Sequence, residues 1–92
     1  MVKFLTRVEL HGASGAQYDQ LHKAMLANKF TKTIVDDTGR EFLLPTAEYF
    51  SYGNLTAEQV RELARAAAAT TGVKYWVLTM EYASAAWYLD PV

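Results

Sequence analysis

Cysteine is absent from the chain, which removes disulfides, thiolate catalysis and cysteine-based zinc sites and suits a reducing compartment. No apolar run reaches the length that a membrane span requires, and Met1-Val2-Lys3 opens directly into an alternating pattern instead of a signal-peptide core. A cytoplasmic protein without membrane contact is therefore the expectation. Neither sign of charge dominates: nine Lys and Arg against ten Asp and Glu leave a formal charge of −1. Such a balance creates no general field for a polyanion, so any nucleic-acid contact must come from a local cluster of basic side chains. The chain also lacks a Gly-rich phosphate loop, an HExxH zinc motif, a nucleophile with a partnered base, internal repeats and low-complexity linkers. What is present is 92 residues, 51% of them apolar, enough for one domain around one small core.

The central stretch Phe30-Thr-Lys-Thr-Ile-Val-Asp-Asp-Thr-Gly-Arg-Glu-Phe-Leu-Leu-Pro45 joins two β-rich runs through an acidic turn closed by glycine. Asp tolerates turn geometry and Gly accepts positive φ, so a hairpin is expected here. The second run resumes near Phe42 or Ala47. Pro45 cannot donate a ladder hydrogen bond, which puts the firmer pairing at Ala47 to Tyr52. A strand precedes this hairpin: from Val2 to Leu10, Val2, Phe4, Thr6, Val8 and Leu10 face one way and Lys3, Leu5, Arg7, Glu9 and His11 the other. Two helices flank the hairpin. The first starts at Ser14 with Gln17 as its capping-box partner, buries Tyr18, Leu21 and Met25 flanked by His22 and Leu26, and ends at Asn28-Lys29. The second starts at Thr56 with Gln59 in the same role and Leu55 stapled to Val60; it buries Val60, Leu63, Ala64 and Ala67 and stops at Gly72. A last strand, Val73 to Tyr82, is apolar on both faces.

The order β-α-β-β-α-β predicts an α+β, ferredoxin-like sandwich over residues 1–82: an antiparallel four-stranded sheet with two helices on one face. Residues 83–92 form an aromatic tail that packs on the sheet or on a partner. The helix-free sheet face offers Lys3, Arg7, Glu9 and His11 beside a row from the last strand. Basic and aromatic side chains on one sheet can hold single-stranded RNA; such a face can equally be solvated or form a dimer interface, and a homodimer is expected from the two apolar faces of the last strand. His22 has a simple chemical case, since a neutral imidazole accepts a 2′-hydroxyl proton in metal-independent RNA cleavage. Asp36 and Asp37 have the oxygen chemistry for a divalent ion, but adjacent Asp residues in a hairpin serve mainly as turn formers. Neither a metal nor a cofactor is expected.

From Leu5 to Tyr82 the chain resembles the GhoS-type endoribonuclease antitoxins of type V toxin–antitoxin systems. The likeness is carried by Phe30, Ile34-Val35, the acidic pair beginning at Asp36, Gly39, Leu44, Tyr49, and Leu55 ahead of an amphipathic helix. The same sandwich is similar to the small CRISPR-associated nucleases and to ferredoxin-like inhibitors of phage origin. The antitoxin resemblance implies an endoribonuclease that cleaves the transcript of a small membrane toxin. In that reading Lys3, Arg7, Lys32 and Lys74 position phosphates, and His22 or Asp36 assists proton transfer. The alternative is a non-enzymatic dimeric protein-binding module, such as a regulator or a phage-encoded, anti-CRISPR-like inhibitor.

Overall fold

The elements follow in the order β1 (Val2–Leu10), α1 (Gly15–Ala27), β2 (Thr33–Val35), β3 (Glu41–Leu43), β4 (Glu48–Gly53), α2 (Ala57–Ala69) and β5 (Tyr75–Tyr82) in the computed structural model, which describes residues 1–92. β1 is the middle strand of an antiparallel sheet in the order β4-β1-β5. Its alternation works as expected, with Phe4, Thr6, Val8 and Leu10 buried under the helices. The register sets Lys3 between Tyr52 and Tyr82, Leu5 between Phe50 and Met80, and Arg7 between Glu48 and Leu78.

Both helix starts carry complete capping boxes: Ser14 with Gln17, and Thr56 with Gln59. Each satisfies orphan N–H groups that the first turn leaves open. On α1, Leu21 and Met25 point inward, and Leu26, one residue further round the axis, is exposed; on α2, Val60, Ala64, Ala67 and Ala68 share the inward face while Leu63 lies on its flank. Leu63 therefore departs from the stripe expected of it, because a 100° step per residue carries it past the covered arc, while Leu26 sits on the flank as expected. The alanines of α2 let the helix approach the sheet closely, and with Phe4, Val8, Leu10, Leu21, Met25, Phe30 and Tyr49 they make up the core.

The expected four-stranded sheet is not what forms. Three strands pair continuously, and β2 and β3 make a separate two-stranded ribbon. Only Thr31 still reaches the main sheet, exchanging both backbone hydrogen bonds with Phe50 at 2.8 Å. The physical reason lies in the run between β3 and β4. Pro45 has no N–H to continue the ladder, and Ala47 adopts φ +61, turning the chain so that Glu41–Leu43 and Glu48–Gly53 become two strands in two sheets instead of one. The ribbon turn itself follows expectation. Gly39 takes φ +87, and the Asp36 carboxylate accepts hydrogen bonds from Thr38 N at 2.9 Å, Thr38 Oγ1 at 2.6 Å and Arg40 N at 3.0 Å. Residues 83–92 return to this ribbon: Leu43 N donates to Asp90 O and Val92 N to Glu41 O, both at 3.0 Å, while Trp87 meets Phe42 edge-on with ring centres 5.9 Å apart.

Candidate nucleic-acid interface

Cross-strand register decides which side chains share the helix-free face. Opposite residues in an antiparallel pair point the same way, so Tyr52, Lys3 and Tyr82 form one row, Phe50, Leu5 and Met80 the next, then Glu48, Arg7 and Leu78, and finally Glu9 with Trp76. Nothing in the chain covers much of this surface. Tyr52 and Trp76 are each 60% exposed, Leu78 58% and Met80 48%, in contrast to the sealed opposite face.

Polar groups are interleaved with these rings and chains. Lys3 Nζ sits 5.3 Å from the centre of the Tyr82 ring, a cation–π distance, and partial burial raises the Tyr82 hydroxyl pKa above its ordinary value. Phe50 and Tyr52 lie 5.9 Å apart, centre to centre. At the other end His11 meets Trp76 edge-on at 4.4 Å; its Nε2 is 3.5 Å from Glu9 Oε2 and makes no hydrogen bond. The tail and ribbon wall off one end of the face in a cleft that includes Lys3, Asp37, Phe50, Tyr82 and Trp87.

The six residues singled out from the sequence do not form one site. Lys3 and Arg7 are exposed on the open face, and Lys74 precedes β5 at the end where its carbonyl accepts from His11 N at 2.9 Å. His22 belongs to α1, on the other side of the sheet. There it lines a shallow depression with Lys23, Leu26, Phe30 and Lys32, so Lys32 accompanies the histidine and not Lys3 or Arg7. His22 Nδ1 lies 2.6 Å from the hydroxyl of the fully buried Tyr49. Burial lowers the His22 pKa, Lys32 lowers it further, and Asp19 opposes both. A neutral ring accepts the Tyr49 proton on Nδ1, which leaves the hydrogen on Nε2. Tyr49 is held in its protonated form by desolvation first and by Tyr18 second.

Asp36 lies in the ribbon turn. The hydrogen bond from the Thr38 hydroxyl holds its carboxyl below the usual carboxylate range, aided by the backbone N–H groups of Arg40 and Thr38. Its oxygen is thus engaged in shaping the turn, and no group of three or more Asp, Glu or His side chains converges anywhere in the chain. No helix is long and apolar enough to cross a membrane. Sequence reading missed Tyr52 and Phe50 as members of the face, and Tyr49 as the partner of His22. The alternation in Glu48–Gly53 carries a signal for the first two, but only the register with β1 aligns them with Lys3 and Leu5. Compared with known protein families and with curated proteins, the chain matches none.

Proposed function

We propose that the protein binds single-stranded RNA on the open face of its sheet. The observation that carries this reading is the cross-strand row Tyr52–Lys3–Tyr82, with Arg7 further along the same uncovered strand face. Aromatic rings stack on bases of any identity, each stacked base contributing about 1–3 kcal/mol, while ammonium and guanidinium groups meet phosphates. The architecture behind this reading is a ferredoxin-like sandwich whose fourth strand is reduced to the single bridge between Thr31 and Phe50. Together with the likeness to GhoS-type antitoxins, it makes the transcript of a small toxin the natural class of target. Binding and proton transfer are separated in this reading. Lys3 and Arg7 lie on the face away from the helices, whereas His22 and Lys32 lie on the helix side, so RNA held on the open face is bound away from His22.

Cleavage by His22 therefore requires RNA to reach the His22 and Lys32 side as well. Titration of a fluorescent single-stranded RNA across a salt series tests the binding claim. Replacing Lys3 and Arg7 by Ala is expected to weaken binding and flatten the salt dependence by about 0.7 in log–log slope for each lost phosphate contact. Circular dichroism should be unchanged, because exposed substitutions alter stability by about 0.5 kcal/mol or less. Absence of binding by the wild-type protein at low salt overturns the proposal. It would favour the protein-binding module, a reading supported by the apolar centre of the face, Phe50–Leu5–Met80 beside Leu78 and Trp76. Incubating wild type and His22→Ala with the same RNA separates catalysis from binding: a nuclease at His22 loses cleavage and keeps affinity.

A further inference from the structure

The two outer strands of the main sheet are finished differently. β4 is covered at Phe50 by Thr31, which takes up both of its backbone groups, leaving only Tyr52 further along with outward groups that no such bond reaches. β5 has no such neighbour. Lys74 O accepts from His11 N on the β1 side, so by alternation the even-numbered residues of β5 bond to β1, while Tyr75, Val77, Thr79 and Glu81 direct their N–H and C=O groups outward. None of the backbone hydrogen bonds outside the regular elements reaches these four residues. Natural sheets protect such an edge with Pro, Lys, a bulge or a very short strand. The run Tyr-Trp-Val-Leu-Thr-Met-Glu-Tyr has none of these, and Glu81 is its single charge.

We infer that β5 pairs antiparallel with β5 of a second copy of this chain, joining two sheets edge to edge across a two-fold axis at Leu78. A second copy fits because the strand complements itself in this register. On the open face Leu78 meets the partner's Leu78, Trp76 meets the partner's Met80, and Lys74 meets the partner's Tyr82; these are apolar, sulfur–aromatic and cation–π contacts. On the helix face Val77 meets the partner's Thr79, and Tyr75 meets the partner's Glu81. Glu81, which has no ion-pair partner within its own chain, thus arrives opposite the Tyr75 hydroxyl. No like charges oppose one another, and every outward N–H and C=O finds a bond. Sliding the axis to Thr79 would set Val77 against Glu81 and leave Tyr75 beyond the paired strand. The inference rests on the edge and not on the RNA reading; its consequence would be one continuous face carrying both copies of the aromatic and basic rows.

Sedimentation and site-resolved amide exchange across a micromolar concentration series test this. The expected result is a dimer in which the amides of Tyr75, Val77, Thr79 and Glu81 exchange roughly tenfold or more slowly at high concentration, while the even-numbered amides are protected throughout. Glu81→Pro removes a donor that the single chain does not use, on an exposed edge position that tolerates Pro; it should keep the circular dichroism spectrum and weaken the dimer by roughly tenfold or more. A monomer at every concentration overturns the inference. So does a dimer whose outward amides stay unprotected, which would place the contact on the open face instead. Because neither measurement involves RNA, failure here and failure of RNA binding are independent results.

Discussion

At the scale of single residues, the pair His22 and Tyr49 shows how a polar contact is held inside a small core. Tyr49 is fully buried, and its hydroxyl has the His22 ring nitrogen as partner at 2.6 Å. Tyr49→Phe should therefore destabilise the fold by about 1–2 kcal/mol, measured by urea unfolding, since a half-buried nitrogen loses its partner along with the hydrogen bond. The pH dependence follows from the direction of the His22 shift. Its native pKa is below the ordinary 6.5, so the unfolded chain binds more protons between those two values, and stability falls as pH drops through that window and is fully present above it. Melting temperature should decline from about pH 7 to about pH 5, with a shallower decline in His22→Gln. An NMR titration that puts the His22 pKa above the ordinary value would contradict the burial argument. Asp36 acts in the opposite part of the pH scale. Its depressed carboxyl supports the ribbon turn above the usual carboxylate range, and that support is lost as pH falls through the native value.

At the scale of elements, α1 ends in a complete Schellman motif built around an unusual residue. Lys29 N donates to Leu26 O at 2.9 Å and Phe30 N to Met25 O at 3.0 Å, with Phe30 and Met25 both buried, which supplies the hydrophobic contact that accompanies this ending. The left-handed position belongs to Lys29 at φ +67, where glycine is the usual occupant. Lys29→Gly is therefore expected to raise stability by about 0.5–1 kcal/mol in thermal or denaturant unfolding, because Lys29 is exposed and the change removes no packing. At the other helix, Thr56→Ala should cost about 1 kcal/mol by the same measurement, since it opens the capping box.

At the scale of the whole molecule, the protein is one three-stranded sheet backed by two helices, with a satellite ribbon that the tail completes. Removing residues 83–92 takes away the bonds from Leu43 to Asp90 and from Val92 to Glu41, along with Trp87 against Phe42. Hydrogen exchange should then speed up at Glu41–Leu43 and Thr33–Val35, while amides of β1 stay protected, because the main buried cluster packs the sheet against the helices. Equal loss of protection in β1 would show that ribbon and sheet unfold as one unit.

Local physics left clear marks in the sequence. The period-2 alternation of Val2–Leu10, the paired capping boxes at Ser14 and Thr56, and the Asp36–Gly39 turn depend on residues within a few positions of each other, so strand, helix starts and ribbon turn were all legible. That the last strand must present one apolar row outward was legible as well, but that this row is Trp76, Leu78 and Met80 follows only from its register with β1. Long-range geometry decided the rest. Whether Glu41–Leu43 and Glu48–Gly53 form one strand or two depends on a backbone turn at Ala47 that no alanine announces. Which aromatics flank Lys3, and that His22 faces Tyr49 on the helix side instead of joining Lys3 and Arg7, depends on the register of β4 and β5 against β1. Those pairings bring together residues tens of positions apart, and only the packed chain selects among them.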